Sequence, residues 1–431
     1  MESMKKALFL VILIMLVAIS TWRQFSAFSG AALKGVYESH PKPHISLASF
    51  LEGSYQKNYY QYVEDLPGLK GSFVRIRNQA DYSLFGIPHA TRIVRGKQGY
   101  LFGEENILAW MGRDFAGGYF LDVKTDELKQ FQDELWKRKK IFLLLVITPD
   151  KASFFPEKIP ARYTEKKGPE NNYLYYSERM AKAGVNVIDF NRYFTLAKDT
   201  SSYPLFAKTG MHWSSYGALL AADSLIRYLN FRLNIRLQQI FIDTIVKTGI
   251  PRDDDDDISQ TMNLFFRITQ PELAYPVFHF NYDSSDVKPS ALFIGDSFYW
   301  NWYRSGIIRN VFRNQDFWYY DKEVYPASFV HQKYTWELDL EKEIERYKIV
   351  VLLHNNNGEA YDFGFGFVDR AWPEYDPSGN NRIRKIEAYL TESEENMRFY
   401  ENKSREWGVP LKTVIRTDAI FAGNNVLRKM K

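Results

Sequence analysis

The stretch Ala291-Leu-Phe-Ile-Gly-Asp-Ser-Phe298 begins with an apolar run that stops abruptly at Gly295-Asp296-Ser297. This pattern is typical of a buried strand that ends at a tight turn, with a serine hydroxyl at the strand's carboxyl end. Ligands bind at that edge in open α/β sheets, and a sharp strand-to-helix turn often presents a nucleophilic serine. Gly, Asp and Ser are also ordinary turn formers. Ser297 is therefore a candidate nucleophile that the rest of the chain has to support.

Three further candidate strands end in polar residues in the same way. They lie at 141–147, 185–190 and 349–353, and the residues at or after their ends include Asp150, Asp189 and His354-Asn355-Asn356-Asn357. A helix-like stretch over 173–183 separates the first two runs, and such alternation of strand and helix is typical of a parallel sheet. The chain is thus predicted to be an α/β protein with a mostly parallel sheet and polar residues gathered at one edge.

His212 is the one of seven histidines that has a motif around it, Lys208-Thr-Gly-Met-His-Trp-Ser214. The motif directly precedes a predicted helix that begins at Ser215 and is capped by Ser214. The positive end of the helix dipole disfavours a protonated imidazole, and a general base has to be neutral. His212 is either the base for Ser297 or a hydrogen-bonded structural histidine.

Composition excludes several classes of function. The net charge is only +4, and no basic cluster is interleaved with aromatic residues, so nucleic-acid binding is not indicated. Without cysteine the chain has no disulfide and no thiolate zinc site. The run Asp253–Asp257 lacks the glycine punctuation of a calcium loop and is expected to be a solvated acidic loop. No cofactor or metal is predicted.

The amino terminus has the composition of an export signal. Lys5-Lys6 precede an apolar run over 7–20, which Trp22 and Arg23 follow. The run is short for a spanning helix, which needs about 20 residues; an uncleaved signal anchor is preferred over a cleaved signal peptide. We expect a signal segment over 1–23, a lead-in over 24–90, the main domain over 91–383 and a helical extension over 384–431. Either form of signal places the body outside the cytoplasm.

Two local expectations concern helices and core. Thr125 is expected to cap the start of a helix, because acidic residues follow it and Leu128, Phe131 and Leu135 share one face. The aromatic run Phe363-Gly-Phe-Gly-Phe367 is expected to belong to the core.

A series of short motifs resembles a known family. The motifs are Gly96-Lys-Gln-Gly-Tyr-Leu-Phe102, Thr148-Pro-Asp-Lys151 with Phe155-Pro-Glu-Lys158, His212-Trp213, and Gly295-Asp-Ser297. In this order they are similar to the AlgJ/AlgX-type alginate O-acetyltransferases. The resemblance implies an SGNH-hydrolase-like, three-layer α/β fold.

The resemblance also implies a reaction, which is O-acetylation of an exported polysaccharide in the periplasm. A membrane-bound O-acyltransferase would supply the acetyl group, and the N-terminal helix would anchor the protein to the inner membrane. Ser297 would carry the acetyl group and His212 would act as its base. Gly295, Asn355 and Asn356 are candidates for stabilising the oxyanion. Alginate is only the family's namesake, so the polysaccharide itself stays open.

One position departs from the family. An aspartate two residues before the histidine would normally orient the imidazole, but Gly210 stands there. Asp150 or Asp189 are candidates for replacing it, whereas Asp296 is expected to cap its own turn. The chain could instead use a Ser–His dyad, or it could be a catalytically impaired protein that binds polysaccharide or organises a biosynthetic complex.

Overall fold

The structure is a computed structural model that describes residues 10–11, 14–15, 33–34, 40–65, 69–355 and 363–430. Most of the predicted signal segment and the candidate Asn356 lie outside these residues. Within the described ranges, no helix combines the length and the apolar character required to cross a membrane. The chain divides into two compact units, one of residues 1–95 with 256–270, the other of residues 96–255 with 271–431.

The first unit is mainly helical. Its elements are α1 (Leu47–Leu51), α2 (Ser54–Asp65), α3 (Leu69–Phe85), strand β1 (Ile93–Arg95) and a short helix at Asp257–Thr261. Ser46 caps α1 by accepting a hydrogen bond from the Ser49 amide at 3.1 Å. The buried Asn78 side chain joins the two parts of the unit, because its Nδ2 donates to the Met262 carbonyl at 2.8 Å.

The second unit contains the sheet and most helices. Its strands are β2 (Leu101–Gly103), β3 (Phe142–Thr148), β4 (Val187–Asp189), β5 (Gln239–Thr248), β6 (Leu273–Asn281), β7 (Ala291–Gly295), β8 (Asp316–Tyr319), β9 (Glu323–Tyr325) and β10 (Ile349–Asn355). Its helices are α4 (Glu104–Trp110), α5 (Gly118–Lys139), α6 (Lys151–Phe154), α7 (Ala161–Thr164), α8 (Asn172–Ala183), α9 (Phe190–Ala197), α10 (Ser215–Leu233), α11 (Tyr299–Arg304), α12 (Ile307–Val311), α13 (Leu340–Glu345), α14 (Phe367–Tyr375), α15 (Arg382–Leu390), α16 (Glu394–Trp407) and α17 (Leu411–Lys429).

The central sheet has six strands in the order β4-β3-β10-β7-β8-β9. The first five are parallel to one another, and β9 runs antiparallel to β8. In this register Leu353 of β10 pairs with Val146 of β3 on one side and with Gly295 of β7 on the other. The prediction of a mostly parallel α/β sheet is therefore confirmed, and the four predicted strands lie side by side.

Both faces of the sheet are covered, which explains why its central strands are apolar throughout. On one face Leu144 and Val146 pack against residues of α9, α10 and α11. On the other face Leu143, Leu145 and Ile147 pack against residues of α5, α8 and α14. The second unit thus has three layers, with helices on either side of the sheet.

The helix expected to begin at Thr125 begins seven residues earlier. It starts at Gly118, and Thr125 lies inside it, fully buried, with its hydroxyl donating to the Leu121 carbonyl at 2.8 Å. A threonine can satisfy its hydroxyl within a helix in this way, so its cap-like sequence context was misleading. The predicted face of Leu128, Phe131 and Leu135 is buried in the core.

The aromatic run over 363–367 divides between core and surface. Phe363 and Phe367 are buried, as expected, but Phe365 is only half-buried. The backbone of Gly364, Phe365 and Gly366 is left-handed, with φ values of 69°, 57° and 92°. The resulting bend turns the middle ring away from the core that the outer two rings share.

Strands β5 and β6 form a separate antiparallel ribbon, which the sequence did not predict. Phe278 and Phe280 pack against the core cluster to which α10 contributes. Much of the ribbon's remaining surface is exposed, and β5 shows no regular alternation of buried and exposed residues, whereas residues 276–281 of β6 alternate between half-buried and exposed.

The predicted helical extension consists of α15, α16 and α17. A buried ion pair between Lys124 of α5 and Asp369 of α14 lies near it. Asn424 of α17 adds a hydrogen bond from its Nδ2 to the same carboxylate at 2.9 Å. These contacts fix the last helix to the main domain, since a buried carboxylate needs its partners.

Candidate active site

Ser297 lies on the tight turn between β7 and α11. The Trp300 amide donates to the Ser297 carbonyl at 3.2 Å, which closes the turn, and the Ser297 side chain is half-buried. Gly295, at the end of β7, is required by a close approach of strands. A Cβ atom there would lie 2.6 Å from the Leu353 carbonyl oxygen of β10. The short residue lets β7 and β10 meet directly beneath the serine.

His212 meets Ser297 at this turn. Its Nε2 lies 2.7 Å from the Ser297 Oγ, although the two residues are 85 positions apart in the chain. The Phe298 ring packs edge-on against the imidazole, with ring centroids 4.8 Å apart. The next residue, Trp213, is buried and donates from its Nε1 to the Asn301 Oδ1 at 3.0 Å. The loop and helix α11 therefore hold the imidazole against the serine.

The cap predicted for the following helix is present. The Ser214 Oγ accepts a hydrogen bond from the Gly217 amide at 3.0 Å, and α10 begins at Ser215. His212 thus stands three residues before α10, near the positive end of its dipole.

Asp296 is buried and caps its own turn, as predicted. Its Oδ1 accepts from the Phe298 amide at 3.0 Å, and its Oδ2 accepts from the Asn355 amide at 2.9 Å. Burial raises the pKa of Asp296 to about 6, against the opposing effects of the Phe298 amide and of His212. The carboxylate therefore fixes both the serine turn and the end of β10, and its charge interacts with the imidazole.

The two predicted orienting carboxylates have other partners. Asp150 accepts from the Asn106 Nδ2 at 2.6 Å and from the Ser153 amide at 2.8 Å, and burial raises its pKa. Asp189 caps α9 and accepts from the Tyr173 hydroxyl at 2.9 Å. Across the described ranges, no hydrogen bond joins either carboxylate to His212. Their role as orienters stays a prediction.

The oxyanion candidates stay predictions as well. The Asn355 Nδ2 donates to the Pro149 carbonyl at 3.2 Å and lies 3.3 Å from the Thr148 Oγ1, so this side chain joins the ends of β10 and β3. The Gly295 carbonyl accepts from the Tyr320 amide at 2.8 Å. Asn356 lies outside the described residues.

Gly210 packs closely against a backbone segment. A Cβ atom at this position would lie 2.7 Å from the Asp254 carbonyl oxygen and 3.0 Å from that of Asp255. The Thr209 hydroxyl donates to the same Asp255 carbonyl at 3.1 Å. The segment 254–255 thus fills the space in which an aspartate side chain at position 210 would begin.

Lys151 binds the loop of residues 208–214 that carries His212, called the histidine loop below. This role was not predicted from the sequence. Its side chain is buried, and its Nζ donates to the carbonyls of Gly210 at 2.6 Å and Lys208 at 3.0 Å. A lysine is rarely buried without such partners. The signal in the sequence was a lysine placed directly after the polar end of a central strand.

The aspartate run is not the solvated loop that we expected. Asp255 is only 2% exposed and Asp256 only 8%. Asp254 forms an ion pair with Arg304, and Asp255 accepts from the Ser215 hydroxyl at 3.3 Å. Burial raises the pKa of Asp255 to about 7. The expectation failed because consecutive acids look hydrophilic, whereas the tertiary structure supplies hydrogen-bond donors and a cation for them.

A pocket of about 320 Å³ lies next to the aspartate run, and Asp253 is among its lining residues. Its polar lining combines Ser215, the two guanidinium groups of Arg252 and Arg304, and Asn301, the residue that bonds to Trp213. Among the residues that the structure describes, no cluster of three acidic or histidine side chains has the arrangement of a metal site.

Comparisons with known proteins agree with the motifs. The family model described as "SGNH hydrolase-like domain, acetyltransferase AlgX" matches residues 93–255, a segment that contains His212 and ends before Ser297. No curated protein matches the chain.

Several solved structures share a distant likeness. The O-acetyltransferase domain of Pseudomonas putida AlgJ is 18% identical, with 62% of this chain and 92% of that chain covered and a TM-score of 0.41. Pseudomonas aeruginosa AlgX is 17% identical, with 68% and 69% covered and a TM-score of 0.40. Bacillus cereus PatB1 with a sulfonyl adduct is 12% identical, with 63% and 99% covered and a TM-score of 0.40.

The family match confirms the resemblance that the motifs indicated: residues 93–255 of the chain are similar to the SGNH hydrolase-like domain described as acetyltransferase AlgX.

Proposed function

We propose that the protein transfers acetyl groups to hydroxyls of a cell-envelope polysaccharide, with Ser297 as nucleophile and His212 as general base. The observation that supports this most directly is the 2.7 Å contact between the His212 Nε2 and the Ser297 Oγ. A nucleophile and its base have to lie within hydrogen-bond reach, about 2.6–3.2 Å. Both side chains are half-buried, so an acetyl donor can approach from solvent.

In the first half of the reaction, His212 removes the proton from the Ser297 hydroxyl as its oxygen attacks the carbonyl carbon of the acetyl donor. The tetrahedral intermediate then expels the donor's leaving group, which takes the proton back from the imidazolium. The product is an acetyl ester on Ser297, and His212 is again neutral.

In the second half, a sugar hydroxyl takes the place of the leaving group. His212 removes its proton, and the sugar oxygen attacks the acetyl carbon of the ester. The intermediate then releases the Ser297 oxygen, which recovers its proton from His212. The acetyl group ends on the polysaccharide, and the enzyme returns to its starting state. Attack by water in place of the sugar would give an esterase with the same residues.

His212 becomes positively charged during both halves, and Asp296 is the carboxylate that we assign to stabilise that charge through space. This is supported by the electrostatic effect of His212 on the pKa of Asp296. Both carboxylate oxygens already accept backbone hydrogen bonds. Asp296 therefore contributes charge without orienting the ring, and the Phe298 ring and the Trp213–Asn301 hydrogen bond restrict the histidine's position.

The intermediate's oxyanion needs hydrogen-bond donors. We assign this role to the Ser297 backbone amide, with Gly295, Asn355 and Asn356 as further candidates. The bond between the Asn355 amide and Asp296 supports a fixed geometry for this edge of the sheet.

The reaction is proposed to take place in the periplasm, at the inner membrane. Lys5-Lys6 and the apolar run after them support export and anchoring. A membrane-bound O-acyltransferase is the proposed source of acetyl groups.

The chemistry can be tested with 4-nitrophenyl acetate as an activated acetyl ester. The full-length protein is expected to release 4-nitrophenol, and both Ser297→Ala and His212→Ala should lower kcat by about 10³-fold or more. Mass spectrometry of the wild type stopped during turnover should find an acetyl group on the peptide that contains Ser297.

Ser305→Ala is the matched control. Ser305 directly follows α11, the helix that Ser297 precedes, and its hydroxyl donates to the Trp302 carbonyl. It should retain the wild-type rate. Equal background rates in the wild type and in Ser297→Ala would contradict the proposed chemistry.

A second candidate function is a polysaccharide-binding or assembly protein without turnover. Gly210 favours it, because glycine stands where the resemblance predicts an aspartate and the backbone of Asp254 and Asp255 fills the adjacent space. Glycan binding that is the same in the wild type and in Ser297→Ala, together with no Ser297-dependent ester hydrolysis, would favour this second function.

A further inference from the structure

Two aromatic residues with strained backbones meet beside the serine turn. Tyr320 directly follows β8 and has φ 53°, and Phe365 has φ 57°. Their rings contact edge-on, with centroids 4.9 Å apart and an interplanar angle of 89°. Bulky residues rarely adopt positive φ, and residues that do so concentrate at ligand-binding and catalytic sites.

Tyr320 is tied to the strand that carries the nucleophile. Its amide donates to the Gly295 carbonyl at 2.8 Å, and the preceding residue, Tyr319, pairs with Gly295 in the sheet. Tyr320 is therefore hydrogen-bonded to Gly295, which lies two residues before Ser297 in the chain.

Phe365 is tied to the strand on the other side of β7. Its ring lies flat on the imidazole of His354, with centroids 4.5 Å apart and an interplanar angle of 4°. The residue after His354 is Asn355, whose amide donates to Asp296 next to the nucleophile. The two strands that flank β7 thus position the aromatic pair.

The strain at Tyr320 is not offset by burial in a core. Its side chain is 41% exposed, and Phe365 is half-buried although both of its aromatic neighbours in the run are buried. The Tyr319 ring packs against Tyr320 with centroids 4.4 Å apart, which limits the directions that the exposed ring can take. A rigid, exposed aromatic surface beside a nucleophile is suited to a ligand with a flat, weakly polar face.

We propose that Tyr320 and Phe365 form an aromatic platform, in which a pyranose ring of the acceptor polysaccharide stacks on the exposed Tyr320 ring and Phe365 supports that ring at 89° to its own. The negative face of an aromatic ring attracts the polarised C–H groups on one face of a sugar ring, while the sugar hydroxyls remain free to point elsewhere. Stacking at this position holds one hydroxyl toward Ser297. The platform rests on the proposed function, because it gives the acceptor of that reaction its binding site.

Binding can be measured by calorimetry on the full-length protein with three hexasaccharides, one neutral, one acidic and one N-acetylated. At least one should bind the wild type. Tyr320→Ala and Phe365→Ala should weaken that binding at least tenfold, and Tyr320→Trp should keep it within a few-fold because the ring is restored. The control is Tyr389→Ala, since Tyr389 is a tyrosine on α15 with 72% exposure, and it should bind as the wild type does.

Tyr320→Asn separates binding from folding. Asparagine tolerates the left-handed backbone, so the thermal midpoint of this variant should stay close to that of the wild type while its glycan binding is lost. Wild-type binding in Tyr320→Ala and Tyr320→Asn would overturn the platform. Failure of all three hexasaccharides to bind the wild type would overturn it as well.

The ester assay keeps this test separate from that of the proposed chemistry. If Ser297-dependent ester hydrolysis is present, the same assay is repeated with added hexasaccharide as the acceptor; Tyr320→Ala should raise the KM for that acceptor at least tenfold, and Tyr320→Trp should reverse the increase. If hydrolysis is absent but Tyr320→Ala abolishes hexasaccharide binding, the transferase proposal fails and the platform is supported.

Discussion

At the scale of single residues, the chain departs from the family at position 210, and the packing around Gly210 accounts for this departure. The family's aspartate is missing, and the space beside Gly210 is filled by the carbonyls of Asp254 and Asp255. The glycine and the aspartate run thus depend on each other. A carboxylate cannot be added back at this position without moving the neighbouring backbone.

Gly210→Asp is therefore expected to destabilise the protein without increasing its rate. Inserting atoms into a packed site costs about 1–3 kcal/mol, and a lower thermal midpoint should be measured by differential scanning calorimetry. Gly210→Ala should show most of the same loss, since the first added atom already lies 2.7 Å from a carbonyl oxygen. An unchanged midpoint together with faster acetyl-ester hydrolysis in Gly210→Asp would contradict this account.

At the scale of elements, the contact between His212 and Ser297 depends on a loop and a turn that different parts of the chain support. The histidine loop is held by Lys151 at the start of α6 and leads into α10, whereas the serine turn is held by Asp296 and by the end of β10. The two are joined by the hydrogen bond from Trp213 to Asn301 of α11.

Lys151→Met is expected to loosen the histidine loop. Its Nζ donates to the carbonyls of Gly210 and Lys208, and leaving a buried acceptor unsatisfied costs about 1–3 kcal/mol. We expect kcat for Ser297-dependent ester hydrolysis to fall by about tenfold or more, because roughly 1.4 kcal/mol of lost positioning corresponds to a factor of ten.

The control for this variant is Lys158→Met. Lys158 lies over the same Tyr100 ring as Lys151 but donates to the exposed Gln98 side chain. It should leave kcat unchanged. Equal kcat values in Lys151→Met and in the wild type would show that the loop does not need the buried ammonium.

At the scale of the whole molecule, buried carboxylates make stability depend on pH. Burial raises the pKa of Asp255 from 3.8 to about 7 and that of Asp296 from 3.8 to about 6. A carboxyl with a raised pKa in the folded state contributes stability below its unfolded pKa and loses it as pH rises through the folded pKa. Because of these two groups, the free energy of unfolding should therefore decrease as the pH rises from about 4 to about 7.

Urea unfolding at several pH values between 4 and 8 should reveal this contribution as the difference between the wild type and Asp255→Asn. A shift of one pKa unit corresponds to about 1.4 kcal/mol, so the variant should gain a few kcal/mol relative to the wild type as pH rises over that range. If the difference between the two proteins is the same at pH 4 and at pH 8, the ionised Asp255 carboxylate is not disfavoured by folding.

Local patterns were sufficient to predict four strands of the main sheet, β3, β4, β7 and β10, and to single out Ser297 and His212. The runs ending at Asp150, Asn355 and Ser297 are apolar on both faces of their strands, and that pattern arises only when helices cover both sides of a sheet. Strands β8 and β9 were not predicted, because runs of four and three residues are too short to show a pattern. Strand β5 of the ribbon escaped prediction because most of its residues are exposed and no buried face is marked in its sequence.

The sequence by itself determined the α/β class, the serine turn, the capped helix after His212 and the departure at position 210, since each depends on neighbouring residues. Only the tertiary structure decided which distant groups meet. It brought His212 within 2.7 Å of Ser297 across 85 residues, buried Asp255, set Lys151 on the histidine loop and joined Tyr320 to Phe365. The physical reason is that long-range contacts depend on strand order and register, and the order β3-β10-β7-β8 is not the order of the chain.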